Sequence, residues 1–563
     1  MSYIPNPIVY PIDTETVSDG LQDKFKCWRN QNPVLISAQT GTGKNYFITK
    51  HLIPYAIETK QPVYLFTNRV ALNVQQKKEL LRTMAYPNIF SDDELEYITS
   101  FSLISIVNYQ SAMEFLHPFG YNSPIGTSPC VAPLSHGYAI FDEAHFFLSD
   151  SLFNASTYQI LQRLIFAFSG YVRIYMTATP DNVLPIISEI EMANEASKYI
   201  NLSSYSHQNP KATQQERALH IYEFPRSYSN YNIMFFTDIS QLYDQLGKAT
   251  AKNKWLCFIN DTRQQRQVAE DLKQTQGVTV TCFDRTKKTD EKTWKSLMQG
   301  QLPGNILFTT IALDNGVNLT DPNLHNIVID CADKVSLLQM AGRKRRAPDE
   351  RVNLYIRSPQ PELIKRRLLS VRDQINFLDE YNQNPAGFLQ SHWQNFHQEY
   401  RNLFFIDNEH RLVPNLLARP ELMILHEFYA KLLFEMQEAS NPLSASEIYP
   451  RMVLEWMGLP QDIHWINSTQ IDLAISELRT LLENYMTTGV PTEEHKDFFN
   501  KFANFADIIL NGSGTLRKDS RSGPSIMSEF LETYQKQLGN CYSIEGRRTW
   551  KVCRKSSTRT FSI

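Results

Sequence analysis

This chain of 563 residues offers little that would tie it to a metal centre, a disulfide framework or a membrane. Its seven cysteines, Cys27, Cys130, Cys257, Cys282, Cys331, Cys541 and Cys553, lie far apart. They form no C-x-x-C pair and have no matched histidine pairs, so neither a zinc site nor a disulfide scaffold has support. No uninterrupted apolar stretch could span a bilayer. Met1-Ser2-Tyr3-Ile4-Pro5 carries no basic region followed by an apolar core, so a reduced, cytoplasmic protein without membrane contact is expected. There is no excess of positive charge either, the formal net charge being −3. Any contact with nucleic acid must therefore come from local patches or backbone amides, not from bulk attraction. Internal repeats and low-complexity tracts are also missing. What remains, 42% hydrophobic and 20% charged residues, is the composition of an ordinary globular protein. Its length predicts about three domains at ~150 residues each.

From about residue 20 to 200, short apolar runs alternate with helical patterns: Val34–Ser37, Val63–Thr67, Leu103–Val107, Ala139–Phe141 and Val172–Met176. Such alternation predicts a mostly parallel sheet covered by helices. The polar stretch from Ser203 to Lys211 reads as a linker. Alternation resumes over 218–360 with Trp255–Ile259, Val278–Phe283, Asn305–Thr309, Asn326–Asp330 and Val352–Ile356. Beyond 360, long amphipathic stretches (Glu362–Tyr381, Pro420–Glu438, Ile471–Tyr485) predict a mainly helical third region, 361–563. The run Tyr542–Val552 predicts a hairpin turning at Glu545-Gly546. Arg517, Lys518, Arg521, Arg547, Arg548, Lys551, Arg554, Lys555 and Arg559 make the tail basic, as either a solvated terminus or a nucleic-acid patch.

The most informative segment is Ala38-Gln39-Thr40-Gly41-Thr42-Gly43-Lys44-Asn45. It lies between the apolar run Val34–Ser37 and a segment of helical character, Tyr46–Ile53. A strand feeding a Gly-rich turn into a helix aims backbone N–H groups and the positive helix end at an anion. Thr40, Gly41, Thr42 and Gly43 would line such a cradle, and Lys44 would supply a point charge for the outer phosphates of a nucleotide. Downstream, Tyr138-Ala139-Ile140-Phe141 ends abruptly in Asp142-Glu143-Ala144-His145. A strand of this kind would place Asp142 beside the phosphates, where it can hold Mg²⁺ directly or through water. Glu143 would then orient the attacking water.

Together these two strings resemble motifs I and II of the superfamily 2 helicases, in the DEAH-box style. The resemblance continues in the family's order over roughly residues 20–360. Phe66-Thr67-Asn68-Arg69-Val70-Ala71-Leu72 resembles motif Ia, and Val107-Asn108-Tyr109-Gln110-Ser111 the strand-contacting segment before motif II. Met176-Thr177-Ala178-Thr179-Pro180 is similar to motif III, and Leu256–Asn260 sits where motif IV belongs. Thr309–Asn318 is similar to motif V, and Gln339-Met340-Ala341-Gly342-Arg343-Lys344-Arg345-Arg346 to motif VI.

The resemblance implies two RecA-like parallel-sheet domains in tandem: residues 1–200 binding ATP, and 218–360 as the second lobe. It implies ATP and Mg²⁺ as cofactors and nucleic acid, with DNA preferred over RNA, as partner. Gln339, Arg343 and Arg346 would complete the site from the second lobe, since guanidinium groups crossing a cleft stabilise charge on a transferring phosphoryl group by about 10³–10⁵ in rate. Gly316 would approach the nucleotide. Thr67, Arg69, Tyr109, Gln110 and Thr310 would contact the nucleic-acid strand, whereas His145, Thr177 and Thr179 would couple it to hydrolysis. Gln22 stands where related enzymes often place an adenine-reading Gln, though an exposed helix residue fits it as well. The third region is open to a protein partner.

Three positions depart from the pattern. Asn45 replaces the Ser or Thr whose hydroxyl ligates Mg²⁺; an amide oxygen can do so, but it is bulkier and differently placed. Thr49 lies a helical turn further on, too far to substitute. Ile311 and Met340 replace polar residues without removing a catalytic group. The expectation is therefore an ATP-dependent helicase. The alternatives are an ATP-gated clamp with little turnover at Asn45, or a translocase that does not unwind.

Overall fold

The structure, a computed structural model, describes residues 7–68, 70–84, 90–116, 137–203, 218–273, 275–283, 291–310, 313, 317–345, 350–392, 401–406, 411–439, 442–466, 478, 480–481, 542–545, 549–553 and 558–562. Two parallel sheets organise it. The first contains β1 (Ile8–Pro11), β2 (Val34–Ser37), β3 (Val63–Thr67), β4 (Ser100–Phe101), β5 (Ile104–Asn108), β6 (Tyr138–Phe141), β7 (Val172–Thr177) and β8 (His220–Glu223). Their order across the sheet is β1-β8-β2-β7-β6-β3-β5-β4, and only the short β4–β5 pair is antiparallel. The second sheet contains β9 (Tyr231–Phe236), β10 (Lys254–Ile259), β11 (Val280–Phe283), β12 (Ile306–Thr309), β13 (Leu324–Asp330) and β14 (Val352–Arg357), ordered β11-β12-β10-β13-β14-β9 and parallel throughout. The central strands of both are buried along their whole length. That is why they read as continuous apolar runs in the sequence, without alternation.

The expected α/β architecture, two RecA-like parallel-sheet units in tandem with helices after them, is the one the chain adopts. The boundary between the units differs. His220–Glu223, counted by sequence with the second unit, is β8 of the first sheet, pairing with β2 and β1 in parallel. The chain crosses to the second unit only between Glu223 and Tyr231. Its short, half-buried pattern carried no signal of which sheet it would join. Most of the expected linker, from residue 204 on, lies outside the described residues.

The third region begins with the helices Pro361–Gln383 and Pro385–His392 and continues with Ala418–Glu438 and Pro442–Trp456. The first and third are the stretches whose amphipathic spacing predicted them; most of Ile471–Tyr485 lies outside the described residues. This region is packed on both units. Asn415 Nδ2 lies 3.0 Å from Ser151 O, 3.1 Å from Asn154 O and 2.9 Å from Thr157 Oγ1 in the first. On the second, Tyr449 donates its hydroxyl to Cys331 O, and Trp465 forms a parallel bridge with Phe235. At the far end Tyr542–Glu545 pairs antiparallel with Thr549–Cys553, as expected of a hairpin, and Thr558–Ser562 adds a third strand; Gly546, where the turn was placed, lies outside the described residues. Among the described residues no helix is long and apolar enough to cross a membrane.

Candidate active site

In a parallel α/β sheet, ligands bind beyond the carboxyl ends of the strands. The ends of β2, β7 and β6, adjacent in the sheet, carry the phosphate loop, the Thr177 segment and Asp142-Glu143 respectively. After β2 the chain turns through Gly41 and Gly43, with φ of 94° and 85°. Glycine is the residue that adopts this left-handed region without strain, so the tight turn depends on both. The helix Lys44–Phe47 then starts at Gly43. The loop is held from three directions: Ala38 N donates to Thr177 O, Val17 N to Thr42 O and Ser227 N to Gln39 Oε1. Lys44 is buried, its Nζ donating to Ala38 O at 2.7 Å and Gln39 O at 3.2 Å. Burial lowers the Lys44 pKa, and the charges of Glu143 and Asp142 oppose that shift.

Asp142 and Glu143 are buried at the end of β6. Glu143 has φ of 50°, an uncommon backbone state for a non-glycine residue that costs of order 1–3 kcal/mol and is concentrated at functional sites. Asp142 Oδ1 accepts from Glu143 N at 3.1 Å, and Oδ2 accepts from Gln76 Nε2 at 2.9 Å. Burial, reinforced by the Glu143 charge, pushes the Asp142 carboxyl up. Burial acts on Glu143 in the same direction, but Lys44, His145, Arg343 and Arg345 outweigh it and hold that carboxyl low. His145 Nδ1 lies 3.2 Å from Thr177 Oγ1, which also accepts from Thr179 N, and 3.5 Å from Glu143 Oε2. The three residues expected to couple thus form one contact chain between β6 and β7.

The second unit closes over this floor. The helix Lys334–Ala341 ends at Gly342, packed so tightly on Thr40 that a Cβ there would lie 2.6 Å from the Thr40 Cβ. Arg343 is buried, its Nη2 donating to Gln339 Oε1 at 2.8 Å and its Nε to Gln339 O, so Gln339 orients it. Arg346 and Gly316 lie outside the described residues. A second group crosses the cleft, Arg345, which the motif pattern does not single out. Its Nε and Nη2 both donate to Asn318 Oδ1, and its Nη1 stands 3.6 Å from where a Gly41 Cβ would be. The signal lay in the string itself, three consecutive basic residues after Arg343. Lys344 is turned away, paired with Glu350 at 2.8 Å.

Two further expectations, for Tyr109 and Thr67, need correction. Tyr109 and Thr67 were expected to touch a strand, but both are fully buried. Tyr109 stacks on Phe146 and donates its hydroxyl to Asp142 O, while Thr67 donates to Asn108 Oδ1; their polar groups are spent on bracing the sheet end. Gln110 is exposed, held by Asn68 O, and Thr310 is half-buried at the end of β12. Arg69 lies outside the described residues. Gln22 is exposed at the end of a helix. The Thr49 hydroxyl donates to Asn45 O and lies within reach of Tyr46 O, inside its own helix, so it is no metal ligand.

The donor set fits a hard divalent cation. No cluster of three or more His, Cys, Asp or Glu suited to a metal occurs among the described residues. Mg²⁺ in nucleotide sites is held instead by one or two carboxylates together with phosphates and water, which is what Asp142, with Asn45 on the adjoining helix, would provide.

Residues 13–182 match the family model described as Type III restriction enzyme, res subunit (ResIII). That span covers the phosphate loop, Asp142–His145 and Thr177–Thr179, but under a third of the chain. No curated protein matches. Among solved structures, S. cerevisiae Dbp5 bound to RNA and ADP BeF3 is 12% identical over 58% of this chain and 80% of its own, with a TM-score of 0.40. The DEAD-box helicase Mss116 bound to ssRNA and UDP-BeF is 11% identical over 85% and 98%, with a TM-score of 0.41. The two sheets and their strand orders, rather than these low scores, define the fold.

Proposed function

We propose that the protein is a nucleic-acid-dependent ATPase of the superfamily 2 helicase class, coupling hydrolysis to translocation on nucleic acid or separation of its strands. The observation that carries this reading is the split site. Lys44, Asp142 and Glu143 come from one sheet, and Arg345 reaches the phosphate loop from the other. Loop amides and Lys44 hold the phosphates, and Glu143, its carboxyl held low with Lys44, Arg343 and Arg345 around it, orients the water. Bound Mg²⁺ would neutralise charge on the phosphate oxygens. Arg343 and Arg345 stabilise charge on the transferring group once the lobes meet, and separation of the lobes disperses the site. Hydrolysis is thereby tied to a rigid-body motion.

Nucleic acid would run past the ends of β3 and β5, next in the sheet to β6, where Gln110 is exposed. The helix Val70–Thr83 follows β3 in the chain and carries Gln76, which holds Asp142, so it links the ends of β3 and β6. DNA remains the preferred substrate, to be tested directly against RNA, and a cytoplasmic setting is proposed with it. The test is ATP hydrolysis with Mg²⁺, alone and with single-stranded DNA, duplex DNA or RNA. One nucleic acid should stimulate turnover, and Glu143→Gln should lower it by about 10²–10⁴, the range for a positioned general base, while nucleotide binding survives. Tight nucleotide binding without turnover, restored by Asn45→Thr, would refute the motor and establish a clamp.

A further inference from the structure

We propose that Gln76 is a positioning residue for the metal-holding carboxylate of Asp142, an assignment that rests on the ATPase reading above. Gln76 is buried within the helix Val70–Thr83, and its Nε2 donates to Asp142 Oδ2 at 2.9 Å from 66 residues away in the chain. The other oxygen, Oδ1, is held by the backbone amide of Glu143. The Tyr109 hydroxyl fixes the Asp142 carbonyl at 2.9 Å. The carboxylate plane is therefore set at both oxygens, once by its own turn and once by Gln76. Each oxygen accepts one hydrogen bond and retains a second acceptor direction for a cation or its water.

Without Gln76 the carboxylate would keep only the Oδ1 contact and could rotate about its side-chain torsions. A ligand held in one orientation does not lose that freedom again on binding a cation. Outer partners of metal ligands carry typically 10–100-fold in affinity for this reason. The far end of the Gln76 amide supports the assignment. Oε1 is buried and has no hydrogen-bond partner among the described residues. A buried amide oxygen calls for a donor, and the hydration shell of a cation at Asp142 supplies one. A side chain present only to fill space would need neither end of the amide.

The test is binding of a fluorescent ADP analogue to the full chain, in EDTA and across a Mg²⁺ titration, for the wild type, Gln76→Met and Gln76→Glu. Gln76→Met keeps the length and bulk of the side chain but removes the donor; Gln76→Glu replaces it with a repelling carboxylate. We expect metal-free affinity within about twofold of wild type for Gln76→Met. The Mg²⁺ concentration giving half of the metal-dependent tightening should rise about 10–100-fold, and further for Gln76→Glu. An unchanged Mg²⁺ midpoint in Gln76→Met overturns the proposal and leaves the ATPase reading standing. Loss of metal-free binding in Gln76→Met also overturns it, by making Gln76 a packing residue. A wild type that binds no nucleotide overturns both readings.

Discussion

Placing one methyl group at Gly342 tests whether the two lobes must meet for turnover. Gly342 has φ −78° and ψ 1°, which any residue can adopt, so Gly342→Ala introduces no backbone strain. Its Cβ would nevertheless lie 2.6 Å from Thr40 Cβ, 2.9 Å from Cγ2 and 3.0 Å from Oγ1. Carbon atoms pack at about 3.5–4.0 Å, so the two surfaces must part by roughly 1 Å. The phosphate loop is poorly placed to yield, because Val17 N, Ser227 N and the Ala38 amide tie it on three sides. The second lobe must retreat, taking Arg343 and Arg345 with it. A misplacement of ~1 Å costs about 10²-fold in rate. That corresponds to about 2.7 kcal/mol on the barrier at 1.36 kcal/mol per tenfold. Steady-state hydrolysis should therefore show kcat down about a hundredfold, with nucleotide affinity little changed, since Lys44 and the loop amides all belong to the first lobe. Thr40→Gly, which removes all three clashing atoms, should recover part of the loss in the double variant, and the cycle would report a coupling between the lobes. Wild-type turnover in Gly342→Ala, or no recovery in the double variant, would refute the closed-cleft mechanism.

Three further outcomes are expected. Arg345→Ala should lower kcat by about 10³, the lower end of the range for cleft-crossing arginines, and Asn318→Ala should lower it less, because it only orients the guanidinium; equal rates in Arg345→Ala and wild type would return the role to Arg343 or Arg346. Glu191→Ala should destabilise the protein by about 3–5 kcal/mol in urea unfolding, since it strips the bidentate partner from the fully buried Arg173 and leaves an uncompensated charge in the core. Burial, with the Asp333 charge, raises the Glu421 pKa from 4.5 to about 8, so the folded protein binds more protons than the unfolded chain between those values. That stability is full below pH 4.5 and is lost as pH rises through 8; Glu421→Gln should flatten this part of the urea-midpoint profile.

Features held by local strings are legible from the amino-acid order alone. Buried parallel strands are short apolar runs. The phosphate loop is a fixed spacing of Gly41, Gly43 and Lys44 between one such run and a helix. Asp142 and Glu143 announced themselves as adjacent carboxylates closing another. Each is decided by neighbours a few residues away, so pattern was enough.

The tertiary structure decided everything that depends on distance across the chain. Only packing shows that Gln76 meets Asp142, or that Tyr109 is sealed beneath it rather than offered to a strand. Asn318 turns Arg345 rather than Lys344 toward the loop, a choice between chemically similar neighbours that no spacing rule makes. β8 joins the first sheet because its parallel edge against β2 and β1 lies there, although its position in sequence sits beside the second. A short polar or half-buried segment has too few apolar positions to specify its own partner. Its place is set by which unsatisfied backbone edge or buried charge the rest of the fold presents to it.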